Sequence, residues 1–363
     1  MSELYERPIR LVQNRIGRNY LGGRETDRFR GLPQEQCVDD DRPESWVGST
    51  TRVNRLELGE DPNKGMAYVA LPGGGQMLLK ELIDQAPEQF LGAVHVCRCG
   101  ADTGVLVKLL DAQHQLGLQC HPDREDAMKY WNSPYGKEES WYIIGKRTDA
   151  DEPPYVLLGF KEGASIEEYS KYYFAGDVPS MEKMCHKIPV EVGQMFHVAA
   201  GCPHAIGGGC FVIEVQEPSD ITLGARRKHF DDPAQEAAFD ERTMRCYHYE
   251  GASYEENLAK YLVQPEVLQQ TPQGRELKLI GRPYTSYFSA TRLEVTGRLQ
   301  PTQTGTFTIA IVLSGSGKLE TRAESVQVKQ GDEIFLPAGA KDVAWQADGE
   351  GLCVICSHPP EIF

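Results

Sequence analysis

Short stretches of alternating apolar and polar residues recur along the chain, and this two-residue period is that of a β-strand with one buried face. The clearest examples lie at residues 104–110 and 211–216, and Glu139 begins an apolar strand that ends at Ile144. Residues 94–96 show a brief version of the same pattern. We therefore expect strands at these four places and a chain of the mainly β class.

Helical signals interrupt these strands. Ser165 followed by Glu168 is a capping box, after which Ile166, Tyr169 and Tyr173 fall on one helical face. Other helix starts are marked by an Asp-Pro pair or by a serine with glutamate three residues later. The predicted helices start at Leu79, Pro87, Asp123, Ser165, Asp232 and Ser253.

An internal repeat indicates the architecture. Residues 193–201 and 331–339 align without a gap, with glycine at both ends, and the Gly-Asp and Pro-x-Gly of the second copy are typical of cupins, which are small jelly-roll barrels. Extending the alignment sets His204 against Asp342, and the second copy has no Gln-x-His strand ahead of it. We predict two cupin barrels with helical insertions and a metal site in the N-terminal barrel only.

The helices that start at Asp232 and Ser253 lie between the two β-rich halves and mark the predicted domain boundary. We expect residues 1–250 to form a catalytic metal-binding cupin domain with helical insertions. Residues 251–363 are expected to form a C-terminal cupin domain without metal ligands. A length of 363 residues fits two domains of about 150 residues or somewhat more.

Composition and charge exclude several classes of partner. Lys and Arg number 38 against 53 Asp and Glu, and the net charge of −15 argues against nucleic acid and anionic membranes. Apolar runs stay well below the roughly 18 residues that a membrane helix needs, and the first seven residues lack a signal-peptide core. We expect a cytoplasmic protein with reduced cysteines, in which the close pairs Cys97/Cys99 and Cys353/Cys356 are structural thiols in strands.

Four polar residues are candidate metal ligands. Gln119 and His121 are two residues apart on one strand and therefore face the same side, while Cys120 between them points into the packing. Glu139 begins the next strand, and His204 follows a Gly-x-Pro corner. Two imidazoles, a carboxylate and an amide oxygen form a mixed set suited to a borderline divalent ion, zinc first, with positions open for substrate.

Three ordered motifs carry a family resemblance. Gln-x-His-Pro-Asp at 119–123, Gly-Lys-x-Glu-x-Trp-Tyr at 136–142 and Ala-Gly-x-Pro-His-Ala at 200–205 resemble the metal site of the short bacterial type I mannose-6-phosphate isomerases, members of the cupin superfamily. Residues 43–46 resemble the Glu-Ser-Trp signature that this family has near its active site. The resemblance implies that one zinc ion binds Gln119, His121, Glu139 and His204.

The resemblance also implies an activity. A zinc-dependent isomerase would interconvert mannose 6-phosphate and fructose 6-phosphate through a cis-enediol, with the sugar phosphate as its small-molecule partner and other divalent transition metals as substitutes for zinc. Two alternatives stay open: a metal cupin isomerase acting on another or unphosphorylated sugar, and a non-catalytic carbohydrate-binding or sensory cupin. The sequence does not fix the oligomeric state.

Several polar residues are predicted to act beside the metal. Lys137 shares the face of Glu139 and corresponds to an active-site lysine of the family. Glu214 is costly to bury on an apolar strand without a role, and the family has a glutamate there followed by Ser-Asp, here ending in Asp220. Lys108 either lines the cavity or points outward. Trp141 either walls the site or packs in the core.

Two departures from the family concern charge and phosphate. Gly117 replaces a serine whose hydroxyl helps to hold phosphate in the family, and Gly224 replaces the catalytic arginine of the Asp-x-x-x-Arg motif. Arg226 and Arg227 follow at once, in a run that is either a solvated face or a replacement for the missing cation. The predicted catalytic residues are Lys137, Glu214, Asp220, Arg226 and Arg227.

Overall fold

Strands dominate the computed structural model, which describes residues 4–54, 60–71, 73–360 and 362–363. The strands are β1 (Ile9–Arg10), β2 (Arg15–Ile16), β3 (Glu44–Val47), β4 (Tyr68–Ala70), β5 (Gln76–Leu78), β6 (Leu106–Asp111), β7 (Gln119–Cys120), β8 (Glu139–Lys146), β9 (Tyr155–Phe160), β10 (Cys185–Pro189), β11 (Met195–Val198), β12 (His204–Ile206), β13 (Cys210–Gln216), β14 (Leu223–Gly224), β15 (Leu262–Val263), β16 (Glu266–Thr271), β17 (Gly274–Ile280), β18 (Ser289–Val295), β19 (Arg298–Leu299), β20 (Thr308–Glu320), β21 (Ser325–Lys329), β22 (Glu333–Leu336) and β23 (Ala344–His358). The mainly β class predicted from the alternating pattern is confirmed.

Helices lie mostly between the strands of the first two thirds of the chain. They are α1 (Arg24–Phe29), α2 (Leu79–Gln85), α3 (Pro87–Leu91), α4 (Ala93–Cys99), α5 (Arg124–Trp131), α6 (Ile166–Ala175), α7 (Val178–Lys183), α8 (Pro233–Cys246) and α9 (Tyr254–Tyr261), with short 3-10 turns at Leu4–Glu6 and Gln34–Gln36. All are too short or too polar to cross a membrane.

The strands of the described residues pair antiparallel in four sheets. The seven-stranded sheet has the order β15-β11-β8-β13-β6-β3-β2, and the five-stranded sheet has the order β10-β9-β12-β7-β14. The nine-stranded sheet follows the path β1-β22-β20-β23-β18-β17-β16, with β19 beside β23 and β21 beside β20, while β4 and β5 form a ribbon. The two copies of the sequence repeat become β11 and β22.

The predicted helix starts agree with the structure. The Asp123 carboxylate accepts a hydrogen bond from Asp126 N, and Ser165 Oγ accepts one from Glu168 N. At α9 both halves of the capping box are present. These side chains satisfy amide groups that have no partner within the first turn of a helix.

The strand expected at residues 94–96 is wrong. These residues belong to α4, which begins after Gly92, where the chain turns at a φ of 94°. The backbone N–H of Val96 donates to Gly92 O and closes the first turn of this helix. Val94 is 66% exposed whereas His95 is buried, so the valine does not face a sheet interior. Cys97 and Cys99 therefore lie on a helix, whereas Cys353 and Cys356 lie in β23 as predicted.

The apolar face of the seven-stranded sheet packs against the nine-stranded sheet. Val107, Ile213 and Val215 share one buried cluster with Ile309 and Phe335. Because side chains alternate along a strand, Lys108 and Glu214 point from the opposite face, toward the five-stranded sheet. Both side chains line a cavity on that side.

Two short strands cross the predicted domain boundary. β1 pairs with β22, so residues 9–10 join the nine-stranded sheet, and β15 pairs with β11, so residues 262–263 join the seven-stranded sheet. The two-barrel arrangement and the division into residues 1–250 and 251–363 stay predictions.

A buried ion pair also connects the N-terminal segment to the C-terminal sheet. Arg30, at the end of α1, donates from Nε to Glu333 Oε1 at 3.0 Å and from Nη2 to Ser45 Oγ at 2.6 Å. Both charged side chains are at most 4% exposed. Removing one member of such a pair leaves the other charge buried without compensation.

We expect Glu333→Ala to lower the free energy of unfolding by about 3–5 kcal/mol, because Arg30 loses its counter-ion inside the protein. Urea unfolding of the purified variant measures this. Glu320→Ala is the control: Glu320 pairs with Arg298 on the surface, so its loss should be below about 1 kcal/mol. Equal effects of the two substitutions would contradict the prediction.

Candidate active site

Three strands bring the candidate metal ligands together. Gln119 on β7 is the register partner of His204 on β12, which places two residues that are distant in sequence side by side in the five-stranded sheet. Glu139 opens β8 in the seven-stranded sheet. His121 follows β7, and Lys137 N donates to Pro122 O at 3.0 Å, so the two chain segments run together.

The ligand atoms of His121, Glu139 and His204 converge on one point. The two Nε2 atoms lie 3.2 Å apart, and each lies 3.3 Å from an oxygen of Glu139. All three residues are buried, and their ligand atoms lie within 4.8 Å of one another. The ring of Trp141 meets His204 edge-on, with centroids 5.5 Å apart, and so walls the cluster.

Backbone carbonyls fix the protonation of both imidazoles. His121 Nδ1 lies 2.9 Å from Ile221 O, and His204 Nδ1 lies 2.9 Å from Cys202 O. A carbonyl only accepts hydrogen bonds, so in a neutral ring the proton must be on Nδ1. Both Nε2 lone pairs therefore point into the cluster, as they do in histidines that bind metal.

The electrostatic environment keeps these three groups in the protonation states that bind a cation. Burial and the Lys137 ammonium lower the pKa of His121 to about 3, and burial likewise lowers the pKa of His204. Burial alone would raise the pKa of Glu139, but the Lys137 ammonium outweighs it and holds this pKa well below its ordinary value. At neutral pH the cluster offers two neutral imidazoles and one carboxylate, a set that fits zinc.

Gln119, the fourth ligand that the sequence predicts, stands at the edge of the cluster. Its Nε2 atom lies 3.4 Å from His204 Nε2. Rotating the amide by half a turn exchanges its nitrogen for its oxygen, which would then face the same point as the histidine lone pairs. An oxygen ligand at this position agrees with the set that the sequence predicts.

Lys137 contacts the cluster directly. Its Nζ atom lies 2.7 Å from His121 Nε2 and 2.9 Å from Glu139 Oε2, so the lysine shares the face of Glu139 as expected. The side chain is 5% exposed. The converging donors thus already attract one positive charge.

A second charged cluster lies on β3, β6 and β13. Lys108 Nζ is 2.8 Å from Glu214 Oε2 and 3.9 Å from Glu44 Oε2, so Lys108 lines the cavity rather than pointing outward. Trp141 Nε1 donates to Glu214 Oε1 at 3.3 Å. Burial, and then repulsion from Glu139, raises the pKa of Glu214 to about 7 against the opposing charge of Lys108.

Arg18 joins this cluster to Asp220. Its two terminal nitrogens donate to the two oxygens of Asp220 at 3.0 and 3.4 Å, and its Nε atom lies 3.0 Å from Glu44 Oε1. Tyr20 donates to the same Glu44 oxygen at 2.8 Å. Sequence reasoning missed Arg18 and Tyr20, because neither stands in a motif, and it flagged Glu44 only through the Glu-Ser-Trp signature.

The basic run after Gly224 divides between two places. Arg227 pairs with Asp240 and Glu236 on α8, which directs its guanidinium to that helix. Arg226 is exposed and lines the cavity. The structure thus brings Arg226 to the site together with Lys137, Glu214 and Asp220, but not Arg227.

The two clusters border one cavity of about 800 Å³. Gly117 and Gly224 both line it, and a Cβ atom built at either position would meet no described heavy atom closer than 3.9 Å. The missing serine and arginine side chains therefore leave space inside the cavity. A sugar phosphate is small enough to enter a cavity of this volume.

Comparison with known proteins identifies the family. The mannose-6-phosphate isomerase of Streptococcus mutans is 32% identical over 263 residues, which cover 71% of this chain and 74% of that protein. The chain belongs to the mannose-6-phosphate isomerase family. Residues 282–359 separately match the family described as mannose-6-phosphate isomerase, cupin domain.

Solved structures extend the likeness of this family member to its whole fold. The mannose 6-phosphate isomerase of Bacillus subtilis superimposes with a TM-score of 0.73 at 23% identity, covering 97% of this chain and 99% of the other. A variant of the phosphomannose isomerase from Salmonella typhimurium gives the same TM-score and coverage at 14% identity. At these identities the comparison supports the fold alone.

We expect His121→Ala to weaken zinc binding by at least about 100-fold, because it removes one of the two imidazole ligands. Removing a group that only hydrogen-bonds to a metal ligand already costs about 10- to 100-fold in metal affinity. Competition with a chromophoric chelator measures the affinity. The control is His186→Gln, a buried histidine bonded only to Ala252 O among its hydrogen bonds in the described residues. Unchanged affinity in His121→Ala would contradict the assignment.

The ion pairs of Glu44 predict a pH dependence of stability. Burial alone would raise the pKa of Glu44, but Arg18 and Lys108 hold it at about 2, below its ordinary value of 4.5. The unfolded chain therefore binds the proton first, so stability is present above about pH 4.5 and is lost as the pH falls. From about pH 6 to about pH 3.5, the wild type should lose about 1 kcal/mol more than Glu44→Gln in urea unfolding. Parallel losses would contradict this.

Proposed function

We propose that the protein is a metal-dependent isomerase that interconverts mannose 6-phosphate and fructose 6-phosphate. The observation that carries the proposal is the convergence of two Nε2 lone pairs and the Glu139 carboxylate beside a cavity that also contains Glu214. Membership of the mannose-6-phosphate isomerase family supports the substrate. We propose the cytoplasm as the location.

His121, Glu139 and His204 would hold the metal, with Gln119 as the fourth ligand. Zinc is the ion that two imidazoles, a carboxylate and an amide oxygen fit best, with other divalent transition metals as substitutes. When bound, it supplies a Lewis acid that polarises the sugar carbonyl and stabilises the enediolate oxygen. One ion per chain is expected.

Glu214 is the best candidate to move the proton between C2 and C1 of the sugar. Its pKa of about 7 allows it to accept and to release a proton near neutral pH. Lys108, 2.8 Å away, can stabilise the carboxylate form. Asp220 is less suited, because Arg18 and the backbone N of Asn54 already hold its two oxygens.

The polar wall orients the rest of the sugar. Lys137 and Lys108 present ammonium groups inside the cavity, and Arg226 stands at its exposed edge. Hydroxyl and phosphate oxygens accept hydrogen bonds from such cations. The two alternatives, an isomerase of another or unphosphorylated sugar and a non-catalytic sugar sensor, are not favoured, because relatives that cover most of the chain are named mannose-6-phosphate isomerases.

We expect zinc-loaded protein to convert mannose 6-phosphate to fructose 6-phosphate and to incorporate solvent deuterium at the carbon that exchanges its proton. A coupled assay for fructose 6-phosphate and NMR of the recovered sugar measure the two outcomes. His121→Ala should lose nearly all turnover and serves as the background.

Free mannose tests the substrate in the same assay. Turnover that strictly requires the phosphate supports the proposal. Equal turnover of free mannose would show that the phosphorylated sugar is not the specific substrate. Product formation no faster than with His121→Ala would overturn the function altogether.

A further inference from the structure

Arg18 is a partly buried cation in the cavity that no family motif predicts. We infer that Arg18 is a catalytic residue, whose guanidinium binds the phosphorylated sugar where the family's arginine, replaced here by Gly224, is missing. The inference rests on the proposed function, since it assumes that a sugar phosphate enters the cavity.

The position of Arg18 is fixed from several sides. Its backbone N donates to Asp41 O at 2.7 Å, and its guanidinium carbon lies 5.1 Å above the ring of Trp46. The side chain is 18% exposed, and it lines the same cavity as Glu139 and Glu214. A guanidinium held in place before substrate arrives loses little entropy on binding.

Arg18 keeps donors for a ligand. Among the described residues, the hydrogen bonds of its guanidinium use two N–H groups, both directed to Asp220. The contact from Nε to Glu44 is an ion pair at 3.0 Å without hydrogen-bond geometry. A guanidinium has five N–H groups, and Nε is buried against Glu44, so one N–H on each of the two terminal nitrogens can turn to phosphate or hydroxyl oxygens.

The other enclosed cations are less available to an anion. Lys137 stands against His121 and Glu139 at 2.7 and 2.9 Å, where it faces the proposed metal ligands. Lys108 is 3% exposed and lies between Glu214 and Glu44. Arg18 is more open to the cavity than either lysine, and its planar fork matches two oxygens of a phosphate.

Gly224 makes the exchange of arginines testable. It lies on β14, four residues after Asp220, which is the partner of Arg18. A Cβ atom at this position would first meet Arg226 N at 3.9 Å, so the cavity has room for a side chain. An arginine placed at 224 would bring a guanidinium to the same cavity from a different strand.

The experiment measures kcat and KM for mannose 6-phosphate with zinc-loaded wild type, Arg18→Gln, Arg18→Lys and the double variant Arg18→Gln/Gly224→Arg. We expect Arg18→Gln to lower kcat/KM about 100-fold, because a charge-assisted contact to the phosphate is lost. Arg18→Lys should lose about 10-fold, because an ammonium does not reproduce the fork. The double variant should recover at least about 10-fold over Arg18→Gln.

Arg15→Gln is the matched control. Arg15 is 13% exposed and pairs with Asp27 and Asp40, but it does not line the cavity, so its loss should change kcat/KM less than about twofold. Melting temperature and zinc content are measured for each variant. If Arg18→Gln does not fold, Arg18→Lys, which keeps the charge, decides the question.

Three results would overturn the inference: wild-type kinetics in folded Arg18→Gln, wild-type kinetics in Arg18→Lys, or no recovery when arginine is placed at 224. A wild type without turnover refutes the proposed function instead. In that case, calorimetry with mannose 6-phosphate separates the two ideas. Weaker binding by Arg18→Gln than by Arg15→Gln supports the role of Arg18, and equal binding removes it.

Discussion

Two hydrogen bonds to backbone carbonyls determine what this cavity can do. Because His121 Nδ1 and His204 Nδ1 each face a carbonyl, of Ile221 and of Cys202, their Nε2 lone pairs have to face one another across 3.2 Å. That arrangement is favourable only around a positive charge. The backbone around the two histidines therefore favours a cation at this point before any substrate contact is considered.

The rest of the cavity is a chain of alternating charges that keep one another buried. Lys108 separates Glu214 from Glu44, and Arg18 separates Glu44 from Asp220. Each charge offsets the desolvation cost of its neighbour. A single charge buried at such a site without a partner would be strongly destabilising. The same arrangement separates the pKa values of the two carboxyl groups, with the pKa of Glu44 at about 2 and the pKa of Glu214 at about 7. One stays ionised while the other can exchange protons.

Local sequence was enough for the features that depend on neighbouring residues. A few neighbouring residues are enough to predict that Gln119 and His121 face the same side of a strand, that the chain turns before His204, and that Ser253 caps α9. The strand predicted at residues 94–96 is wrong because two valines around a histidine fit a helix turn equally well, and the chain reverses at Gly92 to begin α4. The role of Arg18 could not be predicted in this way. Its partners Glu44 and Asp220 lie on two other segments of the chain, and no motif or residue spacing in the sequence indicates that the three side chains come together.

The exchange of short strands between the sheets has a consequence for synthesis. Ile9 pairs with Phe335, so the first strand leaves the ribosome about 320 residues before its neighbour exists. At about 5–20 residues per second, that edge waits tens of seconds for its partner. The nascent chain can assemble the pocket around His121 and His204 earlier, since all the strands carrying its ligands precede residue 210. Closure of the nine-stranded sheet by its N-terminal edge therefore comes late, after β22 has been synthesised.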